Sequence, residues 1–245
     1  MNGIKGIFYR EMRVLKSRIY RNILASSVSP LLFLLAFGYG IGRNSSVGET
    51  GYIDFLIPGL VAMTSMNQSY GISSDINISR FYFKTFDEYL LAPVARWEII
   101  AGEVIYGIIK GLIPVMIVLT YGYIAGMKHI PSLMLVPSLL IHLIIFSILG
   151  IMVALKVKNH GDQFAVNAFI ITPMTFLSGT FFPVEKMPSV IKYIAHIFPL
   201  TYTTSLIRGS VIGTEIDYLL NFGVSALIAG GFFWLCLHIV REMEP

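Results

Sequence analysis

"FLSGTFFPVEKMPSVIKYIAHIFPLTYTTSLIRG" (Phe176–Gly209) is almost as apolar as its surroundings, yet Pro183, Pro188 and Pro199 cut it into short pieces. No piece reaches the roughly 20 apolar residues that carry a helix across a bilayer. Either the stretch is a defective span, or it is a separate broken element set among intact spans. That choice decides the helix count.

The flanking sequence shows what the intact spans look like. The chain has 245 residues, of which 55% are hydrophobic and 13% charged, with a mean hydropathy of +0.73. Soluble domains carry about 25% charged residues, so this composition is that of an integral membrane protein. Apolar runs near 20–42, 52–76, 98–126, 132–156, 162–182 and 217–240 predict six transmembrane helices. The first run exceeds a signal-peptide core and is followed by no small-residue cleavage site, so it is counted as a helix.

Lys and Arg in the connecting loops divide twelve against five. The richer side holds Lys5 to Arg21, Arg80, Lys84, Arg96, Lys156, Lys158 and Arg241; the poorer side holds Arg43, Lys128, Lys186, Lys192 and Arg208. The positive-inside rule then makes both termini cytoplasmic and the broken stretch extracellular.

Two cytoplasmic segments are amphipathic. Over residues 1–19, Ile4, Ile7, Phe8, Met12, Leu15 and Ile19 recur at helical spacing, away from Arg10, Arg13 and Lys16. This predicts a helix in the membrane interface with its cations toward anionic headgroups. In the 77–96 loop, Phe83, Phe86, Tyr89 and Leu90 share a helical face, with Lys84, Asp87 and Glu88 elsewhere and Pro93 as the stop. Two readings fit that face: docking into a partner's groove, or a connector resting its rings on headgroups.

Catalytic and metal-binding patterns do not appear. The five histidines are scattered rather than paired at ligand spacing. Cys236 stands alone, and no G-x-x-x-x-G-K-[ST] loop is present for ATP. The basic residues form no stripe of the kind nucleic acid requires. Glu103 and Lys110, seven residues apart in the third run, share a face and read as a buried charged pair in helix packing. Polar stripes mark the second run (Ser65, Asn67, Gln68, Ser69, Ser73) and the fifth (Asn167, Thr172, Thr175, Ser178). In lipid such side chains either join helices or line a cavity.

"FLIPGLVAMTSM" (Phe55–Met66), "LLAPVARWEIIAGE" (Leu90–Glu103), "FLSGTFFPVEKMP" (Phe176–Pro188) and "FPLTYTTSLIRG" (Phe198–Gly209) occur in an order and sidedness that resembles the permease subunits of ABC-2 type exporters. The resemblance covers essentially the whole chain. Its look is of the branch holding nodulation-factor (lipo-oligosaccharide) and daunorubicin-type drug-exporter permeases.

The resemblance implies one domain over 1–245 in the cytoplasmic (inner) membrane, paired with a second copy or a paralogous permease among membrane lipids. Each half would clasp a separate P-loop ATPase, which would hold the ATP and Mg; this chain would hold no cofactor and catalyse nothing itself. It further implies that Phe83, Phe86, Asp87, Glu88, Tyr89 and Leu90 belong to a cytoplasmic coupling helix. Ser65, Asn67, Gln68, Ser69, Asn167, Thr172, Thr175 and Ser178 would line the cargo pathway. Two short re-entrant helices within 183–212, between helices five and six, would form an exit gate marked by Phe182, Pro183, Pro199 and Arg208. The implied function is export of an amphiphilic drug, lipid or lipo-oligosaccharide. An ion-driven secondary transporter would instead require more buried carboxylates and an inverted repeat, and a membrane scaffold would require only the aromatic partner surface.

Overall fold

The computed structural model describes residues 2–42, 46–47 and 50–242. Except for a two-stranded antiparallel hairpin pairing Ser46–Val47 with Thr50–Gly51, the regular structure is helical. Its α-helices are α1 (Asn2–Ser17), α2 (Ile19–Phe33), α3 (Tyr52–Tyr70), α4 (Ile72–Phe81), α5 (Phe86–Leu91) and α6 (Arg96–Ile124). They continue with α7 (Leu135–Lys156), α8 (His160–Val166), α9 (Thr172–Leu177), α10 (Ser189–Ile197), α11 (Pro199–Ile212) and α12 (Tyr218–Glu242). Two wider π-helical stretches, Leu34–Ile41 and Asn167–Ile171, extend α2 and join α8 to α9. The α2 helix and its π extension lead from α1 at one end of the molecule to the hairpin at the other.

Among the described residues four helices are long and apolar enough to cross a membrane: Ile19–Gly40, Arg96–Ile124, Leu135–Lys156 and Tyr218–Glu242. The six spans expected from hydropathy are corrected to these four. The second expected span, 52–76, stops at Gly71 after 19 helical residues, and its second half is loaded with Thr64, Ser65, Asn67, Gln68 and Ser69. The fifth, 162–182, is divided among α8, the π turn and the six-residue α9, and then bends at 178–182.

The other parts of the expected architecture are corrected with them. The helix in the 77–96 loop is six residues long, and its first residue, Phe86, turns inward at 1% exposure. Phe83 falls before it, because Lys84 takes a left-handed backbone angle (φ 52°) that ends the preceding turn. No exposed aromatic coupling helix over 83–90 results. Nor do the helices after Pro183 form a re-entrant pair. α11 is a core helix with ten of its fourteen residues buried, whereas α10 lies outside it with Val190, Tyr193 and Ile197 exposed.

The core forms around α3. Fifteen of its nineteen residues are buried, and it is flanked by α6, α7 and α11. Small residues permit this enclosure. A β-carbon on Gly59 would stand 2.1 Å from the Thr180 carbonyl oxygen, and one on Gly107 of α6 would stand 2.2 Å from the Ser147 hydroxyl of α7. A larger residue at either glycine would push the packed elements apart. A second apolar cluster at the α1 end joins Ile7 and Leu15 of α1 to Ile72, Ile76, Phe86, Ile99 and Ile151. The N-terminal amphipathic helix thus has its buried stripe on α6.

Candidate functional site

Polar groups inside the bundle join helices in four places. At mid-depth the wholly buried His142 of α7 lies 3.0 Å through Nε2 from Ser65 Oγ of α3 and 3.0 Å through Nδ1 from Thr203 Oγ1 of α11. One imidazole thereby pins three helices, and it takes up the Ser65 side chain that the sequence placed in a cargo path. Ser69 is likewise buried and donates to the Ser65 carbonyl at 2.9 Å.

Toward the α1 end, Gln163 of α8 accepts from Asn77 at 2.8 Å and donates to Ser73 and Ser74 at 2.9 Å each. Nearby, the Tyr70 hydroxyl donates to Asn167 Oδ1 at 2.7 Å. Arg80 donates to the Ala154 carbonyl.

The third network is ionic. Lys110 pairs with Asp75 Oδ2 at 2.6 Å, and the Tyr106 hydroxyl donates to the same oxygen at 3.1 Å. The expected Glu103–Lys110 pair is therefore not the one formed. A lysine at the centre of a span costs about 2.5–3.5 kcal/mol on insertion scales, and Asp75 offsets that. Glu103 is itself buried at 2% exposure.

The fourth network ties α1 to the 77–96 loop. Arg10 donates to Glu11 at 2.7 Å, to the Tyr89 hydroxyl at 2.6 Å and to Thr85 Oγ1 at 2.8 Å. Burial pushes the Glu11 carboxyl up, partly opposed by Arg10. Burial likewise raises the Tyr89 phenol, which keeps it a neutral donor and acceptor.

Apart from these groups, a lateral cleft of about 250 Å³ opens between α2, α3 and the α9 region. Its polar lining comes from Ser26 and Ser29 of α2, Thr64, Asn67 and Gln68 of α3, and Thr172 and Thr175 of α9. Pro30, Phe33, Met63, Ile171 and Phe176 supply the apolar lining, and no charged side chain takes part.

The hydroxyls of Ser26, Thr64, Thr172 and Thr175 donate to carbonyls of their own chain segments. The carboxamides of Asn67 and Gln68 make no hydrogen bond among the described residues. The cleft's unused hydrogen-bonding capacity therefore lies in the Ser29 hydroxyl and in those two amides, each with a donor end and an acceptor end. The π turn at Asn167–Ile171 sets the wall's orientation: Thr172 reaches back five residues to the Asn167 carbonyl, and such turns recur at functional positions in helices.

Of the predicted pathway residues, the fold brings together Asn67, Gln68, Thr172 and Thr175. Ser65 and Ser69 belong to the buried pins, Asn167 to the Tyr70 contact, and Ser178 to a separate cluster near Arg208. Sequence reasoning missed Ser26 and Ser29, although the run "ASSVS" (Ala25–Ser29) was the visible signal.

Of the predicted partner-contact residues, Phe86 is buried, Tyr89 is half-buried, and Phe83 is 66% exposed. Glu88 is exposed; the side chains of Asp87 and Leu90 lie outside the described ones, as does Arg43. Exposed Tyr82 and Leu91 join Phe83 on this surface. A groove of about 720 Å³ beside it is lined by Gly3, Gly6, Ile7, Tyr89, Pro93 and Glu98 among others. At the hairpin end, Phe182 is exposed, Pro183 precedes a 3₁₀ turn at Val184–Lys186, and Pro199 opens α11.

Long apolar helices around a buried central one, with a neutral polar cleft on the side, make this a multi-pass membrane protein built for passage or binding. The chain belongs to the ABC-2 type transporter family, whose profile matches residues 3–212. It is accordingly a membrane transport subunit and not itself an enzyme.

It is similar to the inner membrane transport permease YadH of Escherichia coli K12, with 24% identity over 98% of this chain and 95% of that one. It is similar at 25% to nodulation protein J of Rhizobium leguminosarum bv. viciae, over 96% of this chain and 88% of that one. Nodulation protein J of Rhizobium meliloti is also 25% identical, over 90% and 86% respectively. Both kinds of relative match at near-equal identity, so the narrower branch suggested by the motifs widens to the family as a whole.

Proposed function

We propose that this chain is the membrane half of an ATP-driven exporter that moves an amphiphilic molecule outward across the cytoplasmic membrane through the α2–α3–α9 cleft. The observation that carries the reading is the cleft itself. Polar residues from segments a hundred positions apart meet there beside an aromatic and aliphatic wall, with no charge between them. A molecule with an apolar chain and an uncharged polar portion suits that lining, because the wall accepts the chain and the two amides exchange hydrogen bonds with the polar part.

In this reading the termini are cytoplasmic, and a second copy or a paralogous permease stands opposite the cleft. Energy comes from two copies of a separate ATPase, which bind the ATP and Mg that this chain has no loop to hold. The ATPase would meet the α1 end, where Tyr82, Phe83, Glu88 and Leu91 are exposed beside the α1 groove. Residues 1–19 and 77–96 form that contact region. Residues 183–212 face the exterior.

The test is ATP hydrolysis by the chain reconstituted with its partner ATPase in proteoliposomes, screened against lipids, glycolipids and apolar drugs. Amphiphiles should stimulate hydrolysis in wild type, and Asn67→Leu with Thr175→Phe should change which ones do so. Transport that continues without ATP, or an unchanged preference in the double variant, would overturn the proposal.

A further inference from the structure

At the hairpin end, buried hydroxyls with no hydrogen bond occur on both chain neighbours of Gly179 and one turn before Arg208, the residue that bonds the Gly179 carbonyl. Ser178 and Thr180 flank it at 1% and 0% exposure, and neither hydroxyl has a partner among the described residues. Thr204 of α11 is also fully buried with its hydroxyl unpartnered, one helical turn before Arg208. Arg208 donates Nη2 to the Gly179 carbonyl at 2.7 Å and lays its guanidinium over the Phe55 ring, with Cζ 3.9 Å from the centroid. Its Nε is buried and unpartnered, and Nη1 makes no hydrogen bond. Arg208 is partly buried, and among the described residues no carboxylate comes within ion-pair distance of it, Glu185 acting on it only from farther away.

Each of these facts runs against the usual economy of a protein interior. Buried hydroxyls nearly always have a partner, and a charge withdrawn from water calls for an opposite charge. Water would satisfy the three hydroxyls but would leave the cation with no counter-charge nearer than Glu185, which acts on it from beyond ion-pair distance. A guanidinium edge and several hydroxyl donors together make the donor set that oxyanions take, with the planar fork matching two oxygens of one phosphate. The Phe55 ring and the Gly179 carbonyl hold the guanidinium plane in place, leaving its remaining N–H groups available.

We infer that Arg208, Ser178, Thr180 and Thr204 form a binding site for a phosphate-type oxyanion. In a membrane protein this group is supplied either by an anionic phospholipid headgroup or by free phosphate. The site is separate from the α2–α3–α9 cleft and does not depend on what the cleft carries.

The experiment is native mass spectrometry of the detergent-purified chain titrated with phosphatidylglycerol, phosphatidylcholine and inorganic phosphate. Wild type should hold phosphatidylglycerol about ten-fold more tightly than phosphatidylcholine, the scale of one charge-assisted contact. Arg208→Gln should bring the ratio near one. Because that variant loses the Gly179 and Phe55 contacts, Ser178→Ala with Thr204→Val is measured beside it. This double variant keeps the guanidinium in place and should lower the ratio about three-fold or more.

If inorganic phosphate competes with the anionic lipid, a free oxyanion suffices. If it does not, the headgroup of an inserted lipid is the ligand. Either result supports the site. An equal preference for phosphatidylglycerol in wild type, Arg208→Gln and the double variant overturns it and leaves the hydroxyls as water-filled.

Discussion

Replacing Phe86 with alanine should unlock the α1 end of the molecule, and replacing Phe83 should not. The two rings are three residues apart and read alike in sequence. Phe86 is 1% exposed and packs among Ile7, Leu15, Ile72, Ile76 and Ile99, with its ring 5.8 Å edge-on from Tyr89. Truncating a buried phenylalanine costs about 3–5 kcal/mol, since the lost transfer energy is joined by the cavity left behind. For a chain of this size each kcal/mol lowers the melting temperature by roughly 2–4 °C, so Phe86→Ala should melt about 6–20 °C early. Phe83 is 66% exposed, and its removal should stay within about 0.5 kcal/mol while weakening any protein bound at that surface.

The assay is thermal unfolding in detergent for both variants, followed by co-purification with the partner ATPase. A Phe86→Ala protein melting within about 2 °C of wild type would refute the inward placement of this ring. So would a Phe83→Ala protein that melts much earlier.

Lys110→Met should destabilise by about 1–3 kcal/mol, less than a fully buried pair because Asp75 keeps 28% side-chain exposure. Adding Asp75→Asn should restore much of that loss in a denaturation series. Gly59→Ala forces a β-carbon to 2.1 Å from the Thr180 carbonyl oxygen, so α3 must shift at a cost of about 1–3 kcal/mol, read as a lower melting temperature. The Glu11 carboxyl, raised by burial, binds its proton more readily in the folded chain than in the unfolded one. Its contribution is therefore full below the ordinary carboxylate range and lost as pH rises through the raised value. Hydrogen exchange in α1 should accelerate as pH climbs through that window, after correction for intrinsic exchange, and Glu11→Gln should remove the effect.

The long apolar helices α6, α7 and α12 are legible in the sequence because each is a single run whose polar residues are few. The second expected span, now α3 and α4, is misread because some of its polar residues are satisfied by other helices and others line the cleft. Ser65 meets His142 and Ser73 meets Gln163, and neither pairing has a local signature. The face of residues 83–90 is misread for a different reason. Helical spacing identifies residues that share a side, but it does not say which side is covered, and the left-handed Lys84 removes Phe83 from the helix altogether. Half of the cleft is legible as the polar stripes of α3 and α9. The contribution of α2 is hidden, because Ser26 and Ser29 resemble the small residues common in any tightly packed membrane helix.

The enclosed position of α3 has a consequence for biogenesis. Three of the helices that flank it, α6, α7 and α11, lie later in the chain, so the ribosome releases α3 before any of these three exists. With Asn67, Gln68 and three buried serine or threonine hydroxyls in its second half, it enters the bilayer less readily than α2, which precedes it. Its Ser65 hydroxyl meets its partner only once α7 supplies His142, and that ring meets its own second partner only once α11 supplies Thr203. The helix at the centre of the finished bundle is thus made before most of what encloses it.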